Sequence, residues 1–121
     1  MTRVSIVATS VLLLASAGCG SYPPPTERMT TAEAAIRGAQ EVNAAQQPRA
    51  ALHLKLAQEQ TDKARRLMED GDNERAELTL KRAQADAELA IAIAKETETV
   101  AKAKEAQDRL EQAKAASRKA K

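Results

Sequence analysis

The stretch Glu69-Asp70-Gly71-Asp72-Asn73 divides two segments that share one spacing of small and apolar residues. In both segments these residues recur at alternating intervals of four and three. The two rows are Ala50, Leu54, Ala57, Thr61, Ala64 and Met68, then Ala76, Leu80, Ala83, Ala87, Ala90 and Ala94. Such intervals are the heptad pattern of helices that pack side by side. The sequence therefore predicts two helices, one from about Arg49 to Asp70 and one from about Glu74 onward.

The turn between these helices has the residues that a tight reversal needs. Gly71 can adopt the left-handed conformation that ends a helix, and Asp72 or Asn73 can cap the next one. Rows made mostly of alanine let the two axes approach closely. The sequence thus predicts an antiparallel helical hairpin.

A second apolar row lies roughly on the opposite side of the third predicted helix. It comprises Leu78, Leu89, Ile93 and Val100. We expect this row to pack against the first helix or against another subunit, so the protein can form a homo-oligomer.

A shorter helix precedes the hairpin. Thr30 and Glu33 have the spacing of a capping box, which satisfies free N–H groups at a helix start. Its apolar face comprises Ala32, Ala35, Ile36, Ala39 and Val42, and the pattern ends near Gln46-Gln47-Pro48. Pro48 suits the first turn of the next helix. The predicted fold class is all-α, with an Ala-rich helical domain over residues 30–101.

The N-terminal residues have the features of an export signal. Arg3 supplies a positive charge, and an apolar run follows from Val4 to Leu14. A run of about 11 residues is too short to span a bilayer, which needs roughly 20, and is typical of a signal peptide. We assign the signal peptide to residues 1–18.

The residues after this run resemble the lipobox of bacterial lipoprotein precursors. Ala17, Gly18 and Cys19 match it, whereas Ser16 stands where leucine is usual. The resemblance implies that Cys19 becomes an acylated N-terminus, which anchors the protein to a membrane. Gly20 in place of aspartate implies the outer membrane, with the protein facing the periplasm. The alternative is ordinary cleavage after Ala15-Ser16-Ala17, which would release a soluble periplasmic protein.

A Pro-rich linker over residues 19–29 follows the predicted lipidation site. It contains Tyr22 and Pro23-Pro24-Pro25. Consecutive prolines favour polyproline II geometry, so we expect a short, stiff spacer between membrane and domain.

Residues 102–121 form a predicted basic helical tail. From Arg109 onward it holds Arg109, Lys114, Arg118, Lys119 and Lys121 against one carboxylate, Glu111. A solvated helix end explains these cations, because they complement the helix dipole. The alternatives are contact with an anionic surface, either peptidoglycan carboxylates or phospholipid headgroups, and covalent attachment through Lys121. The latter resembles the C-terminal lysine of Braun-type lipoproteins, although there a basic residue, and not Ala120, precedes the lysine.

The composition argues against several functions. Alanine fills 27 positions, Tyr22 is the one aromatic residue and the net charge is +2, so we expect no nucleic-acid binding. One cysteine and one histidine, His53, favour neither a metal site nor a cofactor. The carboxylates are interspersed with lysines and arginines, which indicates a solvated surface. We predict a protein that is not an enzyme.

The chain also resembles a family of small Gram-negative lipoproteins whose shared helical domain has no assigned function. The resemblance rests on the lipobox, residues 25–29, the Gly71-Asp72 turn and residues 86–90 (DAELA). Some members are fused to OmpA-like peptidoglycan-binding domains. It implies an envelope protein, with Cys19 as the one functional residue. We expect a structural or adaptor role, contacting an envelope protein or peptidoglycan; the alternative is an accessory peptidoglycan-binding module acting through the basic tail.

Overall fold

The computed structural model describes residues 22–120, and three helices account for most of them. Helix α1 spans Thr26–Glu41, α2 spans Pro48–Glu69 and α3 spans Asn73–Lys119; a short 3-10 helix, Ala44–Gln46, links α1 to α2. α2 runs antiparallel to α3, and α1 packs mainly on α3. The predicted all-α fold, a helical hairpin with a shorter first helix, is confirmed.

The hairpin turn is a Schellman motif centred on Gly71. The Asp72 N–H donates to the Leu67 carbonyl at 2.8 Å, and the Gly71 N–H donates to the Met68 carbonyl at 3.1 Å. Gly71 has a φ of 78°, as the sequence predicts. Asp72 is the N-cap residue of α3, as predicted, but its side chain makes no capping hydrogen bond, and its carboxylate instead accepts a hydrogen bond from Arg75 at 2.8 Å.

The two predicted rows form the buried interface between α2 and α3. All six residues of the α3 row are buried, as are the first five of the α2 row, while Met68 is half-buried. Alanine supplies eleven of the fifteen buried apolar residues in the described part of the chain. Leu80 is the largest side chain that is fully buried there. The core is consequently thin, because each buried alanine removes little apolar area from water.

Helix α1 begins earlier than the sequence predicts. Its first residue is Thr26, and the Met29 N–H donates to the Pro25 carbonyl at 3.0 Å. Thr30 lies inside the helix, where its hydroxyl donates to the Thr26 carbonyl at 3.1 Å. The predicted capping box of Thr30 and Glu33 is therefore wrong, and residues 26–29 of the predicted linker are helical.

The predicted apolar face of α1 is confirmed, but the helix ends sooner than expected. Ala32, Ile36 and Ala39 are buried, and Ala35 and Val42 pack partly buried beside them. After Glu41 the chain reverses through Asn43, whose φ is 55°, a conformation that asparagine tolerates. Pro48 then opens α2, as predicted.

The second apolar row of α3 reaches the core only through Ile93, which shares a buried cluster with Ile36 and Ala39 of α1. Three of its members, Leu78, Leu89 and Val100, are exposed, and only Ile93 is buried. Helix α1 lies instead over Ile91, whose Cδ1 would be 3.3 Å from a Cβ placed on Gly38. The predicted packing of this row on the first helix is wrong for Leu78, Leu89 and Val100, and the alternative, packing against another subunit, stays a prediction.

Helix α3 continues far beyond the bundle. Its last buried residue is Ala94, and residues 95–120 are all exposed. The helix passes without a break through residue 102, where the predicted tail begins. At 1.5 Å per residue, the exposed part is about 36 Å long. Within residues 22–120, none of the helices combines the length and the apolarity that crossing a membrane requires.

Candidate functional site

The predicted lipidation site, Cys19, and the predicted signal peptide over residues 1–18 lie outside the described residues. Tyr22, the first described residue, is three positions after Cys19. Since consecutive Cα atoms are 3.8 Å apart, the two Cα atoms lie within about 11 Å of each other in any conformation. The surroundings of Tyr22 thus show where an anchor on Cys19 would meet the folded domain.

The segment from Tyr22 to Pro25 is docked on the bundle. The Asn73 side-chain Nδ2 donates to the Tyr22 carbonyl at 2.8 Å, and Pro25 is buried. Asn73 is the first residue of α3, so the docking point is the start of the longest helix. The Asn73 hydrogen bond and the buried Pro25 hold this segment against the domain, which corrects the predicted spacer over these residues.

An open cleft of about 450 Å³ lies beside the docked segment. Its side chains include those of Tyr22, the three prolines, Arg28, Thr31 and Glu77. Arg28 Nε donates to Glu77 Oε1 at 3.2 Å and Nη1 donates to Gln84 Oε1 at 3.3 Å. The Glu77 side chain is only 14% exposed. These contacts fix the start of α1 to the start of α3 and give the cleft a structural role.

His53, the histidine of the sequence, links α2 to α3. Its Nδ1 lies 2.9 Å from Asp86 Oδ1, and Gln60 Nε2 donates to Asp86 Oδ2 at 2.7 Å. Both oxygens of the Asp86 carboxylate are thus engaged by α2. Within residues 22–120 there is no group of three or more His, Cys, Asp or Glu side chains that could hold a metal ion. We interpret the cluster as an interhelical link.

The exposed part of α3 carries charges of both signs, and two ion pairs form along the helix. Lys102 contacts Glu98, and Arg109 contacts Glu105, each pair four residues apart. The hydrogen bond from Lys102 and its positive charge lower the pKa of Glu98 below its usual value. The predicted basic residues Arg109, Lys114, Arg118 and Lys119 are exposed, and Lys121 lies outside the described residues. The helix therefore presents a mixed charged surface to solvent.

The exposed apolar row of α3 is interrupted by charge. Leu78, Leu89 and Val100 follow one another at eleven-residue intervals, which places them on one side of an α-helix. Arg82 and Glu96 lie between them on the same side. The surface is thus a series of separate apolar spots and not a continuous apolar seam.

The fold and the site define an all-α domain of three helices whose last helix extends as an exposed arm. The chain belongs to the family described as "Domain of unknown function (DUF4398)", whose family model matches residues 27–106. This match confirms the part of the sequence resemblance that concerns a helical domain of unknown function. No curated protein and no solved structure matches the chain.

Three residues that organise the site escaped the sequence interpretation. The sequence predicts Asn73 only as a helix cap, Asp86 only as part of a family motif, and Arg28 only as part of the linker and of a family motif. His53 and Asp86 do share a detectable signal, because each directly precedes a buried residue of the α2–α3 interface. Arg28 gave no such signal, since its contacts depend on where α1 begins.

Proposed function

We propose that this protein is a lipoprotein anchored in the outer membrane through acyl chains on Cys19 and facing the periplasm. We propose further that it acts as a structural or adaptor protein of the cell envelope and catalyses no reaction. Ala17-Gly18-Cys19 after a short apolar run supports the anchor. The observation that carries the adaptor role is the exposed arm of α3 beyond Ala94.

The arm is an exposed helix that depends on the bundle for its formation, because isolated helices are marginal in water. Starting a helix is costly, whereas extending one that already exists adds a hydrogen bond with each residue. Residues 95–119 extend a helix that the bundle has already nucleated, so the arm forms without packing of its own. It offers charged pairs and scattered apolar residues such as Val100 and Leu110. Such a surface suits contact with another envelope protein.

The anchor is tested by mass spectrometry of the mature N-terminus and by membrane fractionation. We expect an acylated Cys19 at the N-terminus and a protein found in the outer-membrane fraction. The variant Cys19→Ala should leave that fraction. Ser16→Leu, which restores the usual lipobox residue, should keep the wild-type location. An unmodified N-terminus at Gly18 in the wild type would instead support the soluble periplasmic alternative.

The adaptor role is tested by photo-crosslinking in cells. A crosslinking amino acid at Leu110, in the arm, is compared with one at Leu52, on α2. The two leucines are matched in exposure, at 54% and 56%. We expect a discrete crosslinked product from position 110 and none from position 52. Equal products from both positions, or none from position 110, would count against the arm as the binding surface.

A second candidate function is non-covalent binding of peptidoglycan by the basic end of α3. It is favoured by four exposed cations from Arg109 onward in the described residues, against Glu111 alone. Deletion of residues 109–121 should then abolish co-sedimentation with purified sacculi. Replacement of Lys114, Arg118 and Lys119 by glutamine should have the same effect while keeping the helix length. Unchanged co-sedimentation of both variants would reject this candidate.

A further inference from the structure

We propose that the anchored protein meets the bilayer with the turn end of its hairpin and holds the α3 arm away from the lipid. The turn end is the end of the bundle formed by residues 22–26 and 66–75, and the arm is residues 95–119. This inference rests on the proposed lipid anchor at Cys19. To the proposed function it adds the orientation of the domain on the membrane and the location at which the arm would contact a partner.

The anchor is tied to the turn end by the docked segment. The Tyr22 carbonyl accepts a hydrogen bond from Asn73 at 2.8 Å, and Pro25 is buried nearby. Gly20 and Ser21 alone separate Cys19 from Tyr22, so the Cα of Cys19 lies within about 11 Å of this contact. The distance from Cys19 to this contact is thus much shorter than the length of the helical bundle.

The contacts between helices show that the arm leaves from the opposite end. At the turn end, Arg28 near the start of α1 pairs with Glu77 near the start of α3. At the far end, Gln47 Nε2, just before α2, donates to the Ala94 carbonyl at 3.3 Å. Residue 95 continues α3 outward from there. At 1.5 Å per residue, the arm begins about 33 Å from Asn73 and reaches about 70 Å from it.

Helix α3 does not have the kind of surface that would hold the protein flat against a membrane. Helices that lie in a membrane interface have a continuous apolar face with cations beside it. On α3, the exposed Leu78, Leu89 and Val100 are eleven residues apart, and Arg82 and Glu96 interrupt them. The arm holds seven cations and five carboxylates, and two of the cations already contact carboxylates on the same helix. Its attraction to anionic headgroups is correspondingly weak.

The turn end is held at the bilayer by the lipid and not by charge. Residues 66–75 contain four carboxylates and two arginines, and one of these arginines, Arg75, pairs with Asp72. An excess of carboxylates does not attract anionic headgroups. The orientation therefore follows from the attachment point alone. A partner of the arm would accordingly be met in the aqueous space, roughly 35–70 Å from the attachment point.

The orientation is tested by energy transfer from the acylated full-length protein to a headgroup-labelled lipid. Single cysteines for a donor dye are introduced as Asp70→Cys, Lys95→Cys and Ser117→Cys, all at exposed positions. The acylated thiol of Cys19 does not react with the dye. Vesicles of phosphatidylethanolamine and phosphatidylcholine, with and without phosphatidylglycerol, test the effect of surface charge. Flotation with the vesicles is measured in parallel.

We expect transfer to be highest from position 70, lower from position 95 and at background from position 117, in both vesicle types. Background is defined by the same labelled proteins carrying Cys19→Ala. Equal transfer from all three positions in floating protein would mean that α3 lies on the membrane, and this would overturn the proposed orientation alone. Loss of flotation by acylation-competent protein would overturn the anchor, and the orientation with it.

Discussion

Replacing Leu80 with alanine is expected to lower the free energy of unfolding by about 2–5 kcal/mol, the range for leucine-to-alanine changes in cores. Leu80 has no exposed surface and lies in a core cluster with Ala32, Ala64, Ala76 and Ala83. Met29, Leu67 and Met68 pack partly buried against this cluster. Where the loss lies within the range depends on how far these larger side chains shift into the resulting cavity.

The matched control for this change is Leu78→Ala. Leu78 is the same residue type, two positions away on the same helix, but 51% exposed. Substitutions at such positions usually change the stability by less than about 0.5 kcal/mol. The measurement is urea unfolding followed by circular dichroism. Equal losses for both variants would contradict the described burial of Leu80.

The effect of Leu80→Ala is large relative to the total free energy of unfolding that we expect for this domain. Folded domains are stable by only about 5–15 kcal/mol. Here eleven of the fifteen buried apolar residues are alanines, so the few larger side chains contribute a disproportionate share of the buried area. The exposed arm adds helical signal but no buried core. We thus expect the cooperative transition to report on the bundle and not on the arm.

The hairpin could be predicted from the sequence because the residues of the α2–α3 interface recur at regular intervals. Both rows keep intervals of four and three over nineteen residues, and Gly71, which has a positive φ, lies between them. Close packing between two long helices favours small residues at most contacts, with Leu54 and Leu80 as the large buried exceptions. The positions of the alanines in the sequence consequently show which residues form the interface.

The packing of α1 was not predictable in the same way. The sequence predicts that Leu78, Leu89, Ile93 and Val100 pack on α1 or on another subunit. Of these only Ile93 is buried, and α1 packs over Glu77, Gln84 and Ile91. Arg28 stabilises this arrangement through a carboxylate that is largely withdrawn from water. Hydrophobic periodicity does not detect a helix interface made partly of ion pairs and amides.

The docking of the segment from Tyr22 to Pro25 could not be predicted either, for a different reason. Three consecutive prolines favour an extended chain locally, whatever lies beside them. Whether such a chain projects or packs depends on a partner far away in sequence, here Asn73, fifty-one residues from Tyr22. The sequence resemblance to a lipobox carries no information about the helices, and the docking of Tyr22 beside Asn73 required the fold.

The substitution Ala83→Leu should destabilise the protein by about 1–3 kcal/mol, the range for overpacking a core. Ala83 is fully buried on the face of α3 that meets α2. Alanine and leucine have similar helix propensities, so the loss would come from packing. Three added carbon atoms do not fit between axes that alanine rows hold close, and the hairpin must open locally to admit them.

The control is Ala85→Leu, the same change two residues along the same helix at an exposed position. It adds the same atoms and the same propensity change without entering the interface, and should alter the free energy of unfolding by less than about 0.5 kcal/mol. If Ala83→Leu were equally neutral, the helices could not be as close as their buried alanines indicate. A leucine that filled an existing gap would even raise the stability. Urea unfolding of the two variants side by side thus measures directly how closely α2 and α3 approach.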